Sequence, residues 1–139
     1  MAGWKSVEEV KAYTLSCRLR DEIFRLTETG PASRDFDYRD QIRRSSSSAP
    51  ANLCEGFNLY FHGQFGYHAS VAKGSLAETV THLEDARGHK YFSPEDRRHL
   101  LDLAIEARRT TSGLLRYLSK SEAPTNPTRL KRPRRPRRQ

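Results

Sequence analysis

The sequence predicts an all-α fold: an up-down-up-down four-helix bundle followed by a basic tail. Three observations carry this. Four segments of about 24 residues repeat apolar side chains at helical spacing, and no stretch alternates as a strand would. Glycine, proline and capping residues separate the segments at short intervals. The charge is also lopsided. Residues 125–139 hold seven basic side chains and no acidic one, which leaves +1 of the net +8 on residues 1–124.

The first helix is expected over about Ser6 to Thr29. Leu15, Leu19, Ile23 and Leu26 form its stripe, and Tyr13, Cys17 and Phe24 widen it. Gly30-Pro31 should end it, because glycine suits a C-cap and proline cannot continue the hydrogen-bond ladder. Ser33, Asp35 and Asp37 then offer N-caps for the second helix.

The second helix contains "QIRRSSSSAPANLCEG", Gln41 to Gly56, which resembles a linker in composition. Its periodicity argues otherwise. At 100° per residue, Ser46, Ala49, Leu53, Phe57 and Tyr60 share a face with Ile42, straight through the serines. Pro50 removes a backbone donor, so a bend is expected there and not a break. A flexible joint is the alternative, since proline inside a helix costs about 3 kcal/mol.

The third helix is expected from about Gln64 to Gly88, on the repeat of Phe65, Ala69, Ala72, Leu76, Thr79, Leu83 and Ala86. The fourth opens with Ser93-Pro94-Glu95-Asp96, an N-cap, a first-turn proline and two acids at the positive end of the dipole. Leucines, alanines and Thr111 carry its apolar face to about Lys120. The bundle is therefore assigned to residues 1–120. Residues 121–139 are assigned to a disordered tail, because Pro124, Pro127, Pro133, Pro136 and like charges oppose packing.

The 139 residues fit one domain, and a 35% apolar fraction allows a modest core. No apolar run approaches the roughly 18 residues of a membrane helix. Residues 1–11 include Trp4, Glu8 and Glu9 and no apolar signal segment, so a cytoplasmic protein with no membrane contact is expected. Cys17 and Cys54 form no CxxC pattern and are expected as small core residues.

A second stripe runs along the other side of the second helix: Gln41, Ser45, Ser48, Asn52 and Glu55. The third helix has a counterpart in Tyr67, Val71, Gly74, Ser75, Glu78 and His82. A solvated face is the ordinary reading. Against it, solvated faces usually carry Lys and Glu, and a mid-helix Gly74 costs about 1 kcal/mol unless close packing offsets it. The stripes therefore predict a packed, partly polar contact, within the bundle or between subunits.

The clearest functional signal in the composition is the tail. Arg129, Lys131, Arg132, Arg134, Arg135, Arg137 and Arg138 are spaced by prolines that hold the strand extended. Arginine's planar fork suits phosphate, and such binding is salt-dependent and indifferent to base sequence. A passive, solubilising tail is the alternative. Arg43 and Arg44 can extend a basic surface, or pair with Asp37, Asp40 or Glu78.

Aromatic residues cluster at Phe57, Tyr60, Phe61, Phe65 and Tyr67, with no Lys or Arg among them. That favours a hydrophobic plug over a base-stacking platform. Bundle di-iron sites use Glu-x-x-His pairs, whereas Glu78 and His82 stand one residue too far apart and Asp96-x-x-His99 is a lone match. No metal and no cofactor are expected. Lys73-Gly74-Ser75 lacks the order and leading glycine of a phosphate loop.

"QIRRSSSSAPANLCEGF" and "VAKGSLAE" together resemble the two signature blocks of the ribosomal-RNA intervening-sequence protein family. These are bacterial four-helix-bundle proteins, some encoded within insertions of the large-subunit ribosomal RNA gene. The first block falls on Gln41, Arg43, Arg44, Ser48, Pro50, Asn52, Cys54, Glu55 and Gly56. The second falls on Phe65, Ala72, Gly74, Ser75, Leu76 and Glu78. The match spans roughly Tyr13 to Leu118 and omits the tail. Ser45, Ser46 and Ser47 replace a mostly Ala-Ala-Val stretch, Cys54 replaces Ala, and His68-Ala69 stand where an aromatic and Leu are common.

The resemblance implies a left-handed bundle, a ring of five subunits as in members of known architecture, and no established enzymatic activity. A cousin in fold, the accessory protein of diversity-generating retroelements, helps a reverse transcriptase handle RNA. By that analogy RNA, DNA, a reverse transcriptase or another nucleoprotein enters as a candidate partner. The expectation is a non-enzymatic homo-oligomeric scaffold that uses the tail, Arg43 and Arg44 for nucleic acid. Gln41, Ser48, Asn52, Glu55, Gly56, Gly74, Ser75 and Glu78 would serve helix packing or a subunit interface. The rival is a protein-interaction adaptor with no nucleic-acid contact.

Overall fold

A computed structural model describes residues 3–59 and 62–120, without the side chains of residues 62, 63 and 87. A 3-10 turn, Val7–Glu9, precedes α1 (Lys11–Leu26), the single turn α2 (Pro31–Arg34), α3 (Phe36–Phe57), α4 (His62–His89) and α5 (Pro94–Ser119). Among the described residues there is no strand. The four long helices pack in a ring, α1 on α3, α3 on α4, α4 on α5 and α5 on α1. Short links join neighbours, which is the up-down-up-down bundle the periodicity predicts. No described helix is long and apolar enough to cross a membrane.

The core is built from the predicted stripes. Leu19, Ile23, Ile42, Leu53, Phe65, Leu76, Leu83 and Leu100 are fully buried. The serine-rich segment is helical throughout, and Pro50 lies buried within α3. It is no linker. Small side chains at Ser45, Ser46 and Ala49, all buried, leave little apolar area there but keep the rod against its neighbours.

Two boundaries differ from expectation. The first helix begins at Lys11, because Val10 is extended (φ −83°, ψ 108°). Val7 and Val10 are buried, and the turn before α1 brings Trp4 edge-on to Phe65 at 6.1 Å and Tyr117 at 5.5 Å. Burying those side chains outweighs another helical turn. At its other end α1 stops at Leu26, where Thr27 donates its hydroxyl to the Ile23 carbonyl at 2.7 Å. Gly30 does not cap α1. Its φ of +78° sets the start of α2, with Pro31 as the first helical residue.

Two of the predicted N-caps, Asp35 and Ser93, are present. The Asp35 carboxylate accepts from the Tyr38 backbone N–H at 3.1 Å, and Ser93 Oγ accepts from the Asp96 N–H at 3.1 Å.

Candidate functional site: the α3–α4 seam and the basic residues

The polar stripe of α3 closes onto α4 of its own chain. The pairs run antiparallel. Ser45 Oγ meets Thr79 Oγ1 at 2.8 Å, Ser75 donates to Ser48 Oγ at 2.8 Å, and Asn52 Oδ1 meets His68 Nδ1 at 3.1 Å. Thr79 also donates to the Ser75 carbonyl at 2.9 Å. Ser45 Oγ likewise faces the Ile42 carbonyl at 3.2 Å, so each hydroxyl shares its single proton between its own helix and the other hydroxyl, and either one can be the donor across the seam. The Asn52 amide nitrogen faces the Ser48 carbonyl at 2.9 Å and its hydroxyl at 3.2 Å. Its oxygen therefore needs a donor, which assigns a proton to His68 Nδ1. Beyond Ser45, the Tyr38 hydroxyl donates to the His82 carbonyl at 2.8 Å.

Gly56 sets the spacing at one end of this seam. A Cβ built there would lie 2.7 Å from His68 Cβ and 2.9 Å from Phe65 Cδ2. Such distances force something to move, so glycine is the residue that lets the helices meet. Of the eight expected packing residues, Ser48, Asn52, Gly56 and Ser75 come together here. Gln41, Glu55, Gly74 and Glu78 point outward and are exposed. Gly74 differs from expectation: a Cβ there meets nothing within 4 Å, so packing inside the protomer does not require it. Two seam residues, Thr79 and His68, were missed. Thr79 reads as one more member of the apolar stripe, and His68 as a thinning of the core.

Arg43 is held against the end of α1. Its Nε donates to Thr27 Oγ1 at 2.8 Å and its terminal nitrogen to the Phe24 carbonyl at 3.2 Å. The guanidinium lies 4.6 Å from the Phe24 ring centre, with Glu28 as a looser partner at 3.4 Å. The acid is thus Glu28, and not Asp37, Asp40 or Glu78. Arg43 faces α1, whose last turn leaves carbonyls in need of donors. Arg44 is exposed. Arg129, Lys131, Arg132, Arg134, Arg135, Arg137 and Arg138 lie outside the described residues.

The aromatic cluster divides. Phe57 and Phe65 are buried and meet edge-on at 6.1 Å, as a plug would. Tyr67 is 66% exposed. Tyr60 and Phe61 lie outside the described residues. Cys17 and Cys54 are free thiols, each half-buried and not fully in the core. A hydrogen bond with Cys17, together with burial, pushes the Tyr13 hydroxyl up to about 12. Among the described residues no group of three or more His, Cys, Asp or Glu side chains is placed to hold a metal ion.

The two blocks that form this seam lie within the stretch that matches a family model. Residues 8–113 match the family model of the 23S rRNA-intervening sequence protein. The chain belongs to that family. Its fold is similar to the crystal structure of a protein of unknown function from the S23 ribosomal protein family of Bacteroides thetaiotaomicron. The TM-score is 0.68 at 19% identity, over 75% of this chain and 97% of that one. No curated protein matches.

Proposed function

We propose that this protein is a non-enzymatic, self-associating scaffold of the cytoplasm whose basic tail engages nucleic acid or a nucleoprotein. The observation that carries the reading is the division of charge. Seven basic side chains sit in residues 125–139, against a net +1 on everything before them. Arg43 adds little to a basic surface, because α1 holds its guanidinium. The phosphate contacts are therefore assigned to the tail, with Arg44 as the exposed member of the Arg43-Arg44 pair.

Self-association is supported by the outward side of α4. There Tyr67 is two-thirds exposed, and Gly74 keeps an open surface that no residue of its own protomer fills. A glycine in mid-helix is costly unless something uses the space, and a second copy is the reading the family resemblance favours. A ring of five would present five tails together and raise a weak affinity by about a hundredfold where the spacing permits. The internal use of Arg43 also favours the rival reading. There the exposed face of α4 recognises a protein partner and the tail is passive.

Mass in solution by light scattering, with absorbance at 260 nm read on the same peak, tests both parts. The scaffold reading expects a multimer that carries nucleic acid at low salt and sheds it at high salt. A monomer with no such absorbance at any salt would contradict it.

A further inference from the structure

Where α3 begins and α4 ends, the bundle opens into a cavity of about 420 Å³. Its walls include Asp35, Asp37, Asp85, Tyr38, Tyr91 and His89, with no described Lys or Arg among the lining residues. The rings form a stack: Tyr38 and Tyr91 lie 4.2 Å apart, and His89 lies almost parallel to Tyr91 at 5.2 Å. Asp35 is already occupied, because it accepts from the Tyr38 N–H and the Tyr91 hydroxyl. Both tyrosine hydroxyls are also used, Tyr38 by the His82 carbonyl. Asp37 and Asp85 are different. They are exposed, and neither has a hydrogen bond or ion pair with any described residue.

Stacked rings beside two exposed carboxylates suit a planar cation. A guanidinium extends an aromatic stack with its face and forks onto a carboxylate with its edge. An ammonium has neither the flat face to extend the stack nor the planar fork, and pairs with a carboxylate as a point charge. The cavity does not suit a metal ion, since no described ligand group of three assembles there.

We propose that this cavity docks an arginine from the chain's own 129–138 segment. Charge complementarity selects the occupant: the segment has seven cations and no acid. Length permits it. The cavity lies at the start of α5 and the tail leaves from its end, about 39 Å away for 26 residues. The twelve residues 121–132 reach about 40 Å when extended, which brings Arg132 and the arginines after it to the cavity. The tail then has two competing seats, this cavity and a phosphate backbone. The second seat rests on the proposed function, whereas the docking does not.

Nuclear magnetic resonance of the full chain tests the docking. Replacing Arg132, Arg134, Arg135, Arg137 and Arg138 by Gln should shift the amide signals of Tyr38, Asp85, His89 and Tyr91. Those of Phe57 and Phe65, at the other end, should stay in place. Adding the peptide RLKRPRRPRRQ to that variant should restore the shifts saturably. A lysine-for-arginine peptide should bind at least threefold more weakly, and Asp37→Asn with Asp85→Asn should weaken the arginine peptide at least tenfold. Unchanged cavity signals, or equal binding of both peptides, would overturn the proposal, the latter by reducing it to unspecific charge attraction. Docking in a chain with no nucleic-acid affinity would sink the proposed function and leave the docking intact.

Discussion

The polar seam along the α3–α4 contact and the apolar core are held by different chemistry. Toward the core, α1 and α5 bury mainly aliphatic side chains, including Leu15, Leu19 and Ile23 on one helix and Leu100, Leu103, Leu114 and Leu118 on the other. Between α3 and α4 the helices meet through Ser45, Ser48 and Asn52 on one side and Thr79, Ser75 and His68 on the other. Apolar burial is non-directional and supplies most of the stability. Hydrogen-bonded pairs add only about 1 kcal/mol each, but a misaligned pair leaves buried groups unsatisfied at about 1–3 kcal/mol apiece. The aliphatic contacts hold the bundle together, and the polar seam fixes the register of α3 on α4.

Substitutions should separate the two. The largest loss is expected in the aliphatic half: Leu19→Ala leaves a cavity at a fully buried site and should cost about 2–5 kcal/mol in denaturant unfolding. The two glycines of the family blocks come next, and they should act in opposite directions. Gly56→Ala forces a Cβ against His68 and Phe65 and should destabilise by about 1–3 kcal/mol. Gly74→Ala enters open space and should stabilise the protomer by up to about 1 kcal/mol. If both substitutions were neutral, the close approach at Gly56 would be wrong.

The seam itself calls for a double-mutant cycle. Ser45→Ala and Thr79→Val should each cost about 1 kcal/mol, and the pair together clearly less than the sum. Strict additivity would mean the hydroxyls do not act as a unit.

The smallest effect expected is one of pH. Hydrogen bonds from the Tyr91 hydroxyl and then the Tyr38 backbone N–H hold the Asp35 carboxyl below its ordinary value. A carboxyl lowered in the folded state stabilises the fold above its unfolded value of about 4, and that contribution fades as pH falls through the lower folded value. Asn at this position still caps the helix but does not titrate. Melting temperature should therefore fall more steeply below pH of about 4 in the parent than in Asp35→Asn.

The helices were legible because a 3.6-residue period needs only one chain segment to be seen. Ile42, Leu53 and Phe57 announced a helix despite the serines between them, and Ser93-Pro94 announced the start of α5. The partners were less legible, because a period assigns a residue to a face but not to the helix that covers it. Ser48 and Asn52 were marked as packing residues, yet Thr79 looked like a core member and His68 like a defect. Arg43 was expected to find an acid near it in sequence or on α4. It found the Phe24 carbonyl, Thr27 and Glu28 of the preceding helix end, which only the α1–α3 packing brings within reach. The acidic cavity was invisible for the same reason, since Asp35, Asp85 and Tyr91 meet only once α3 and α4 are in register.

On the proposed function the tail, and not the α3–α4 seam, makes the phosphate contacts. A mobility-shift titration of single-stranded RNA tests this most directly, comparing the full chain with the variant carrying Gln for Arg132, Arg134, Arg135, Arg137 and Arg138 over a range of salt. The parent should lose affinity steeply with salt, with a log–log slope near about −5 if all seven cations engage, and the variant should bind at least tenfold more weakly with a much flatter slope. Equal affinity and equal slope for the two would contradict the account.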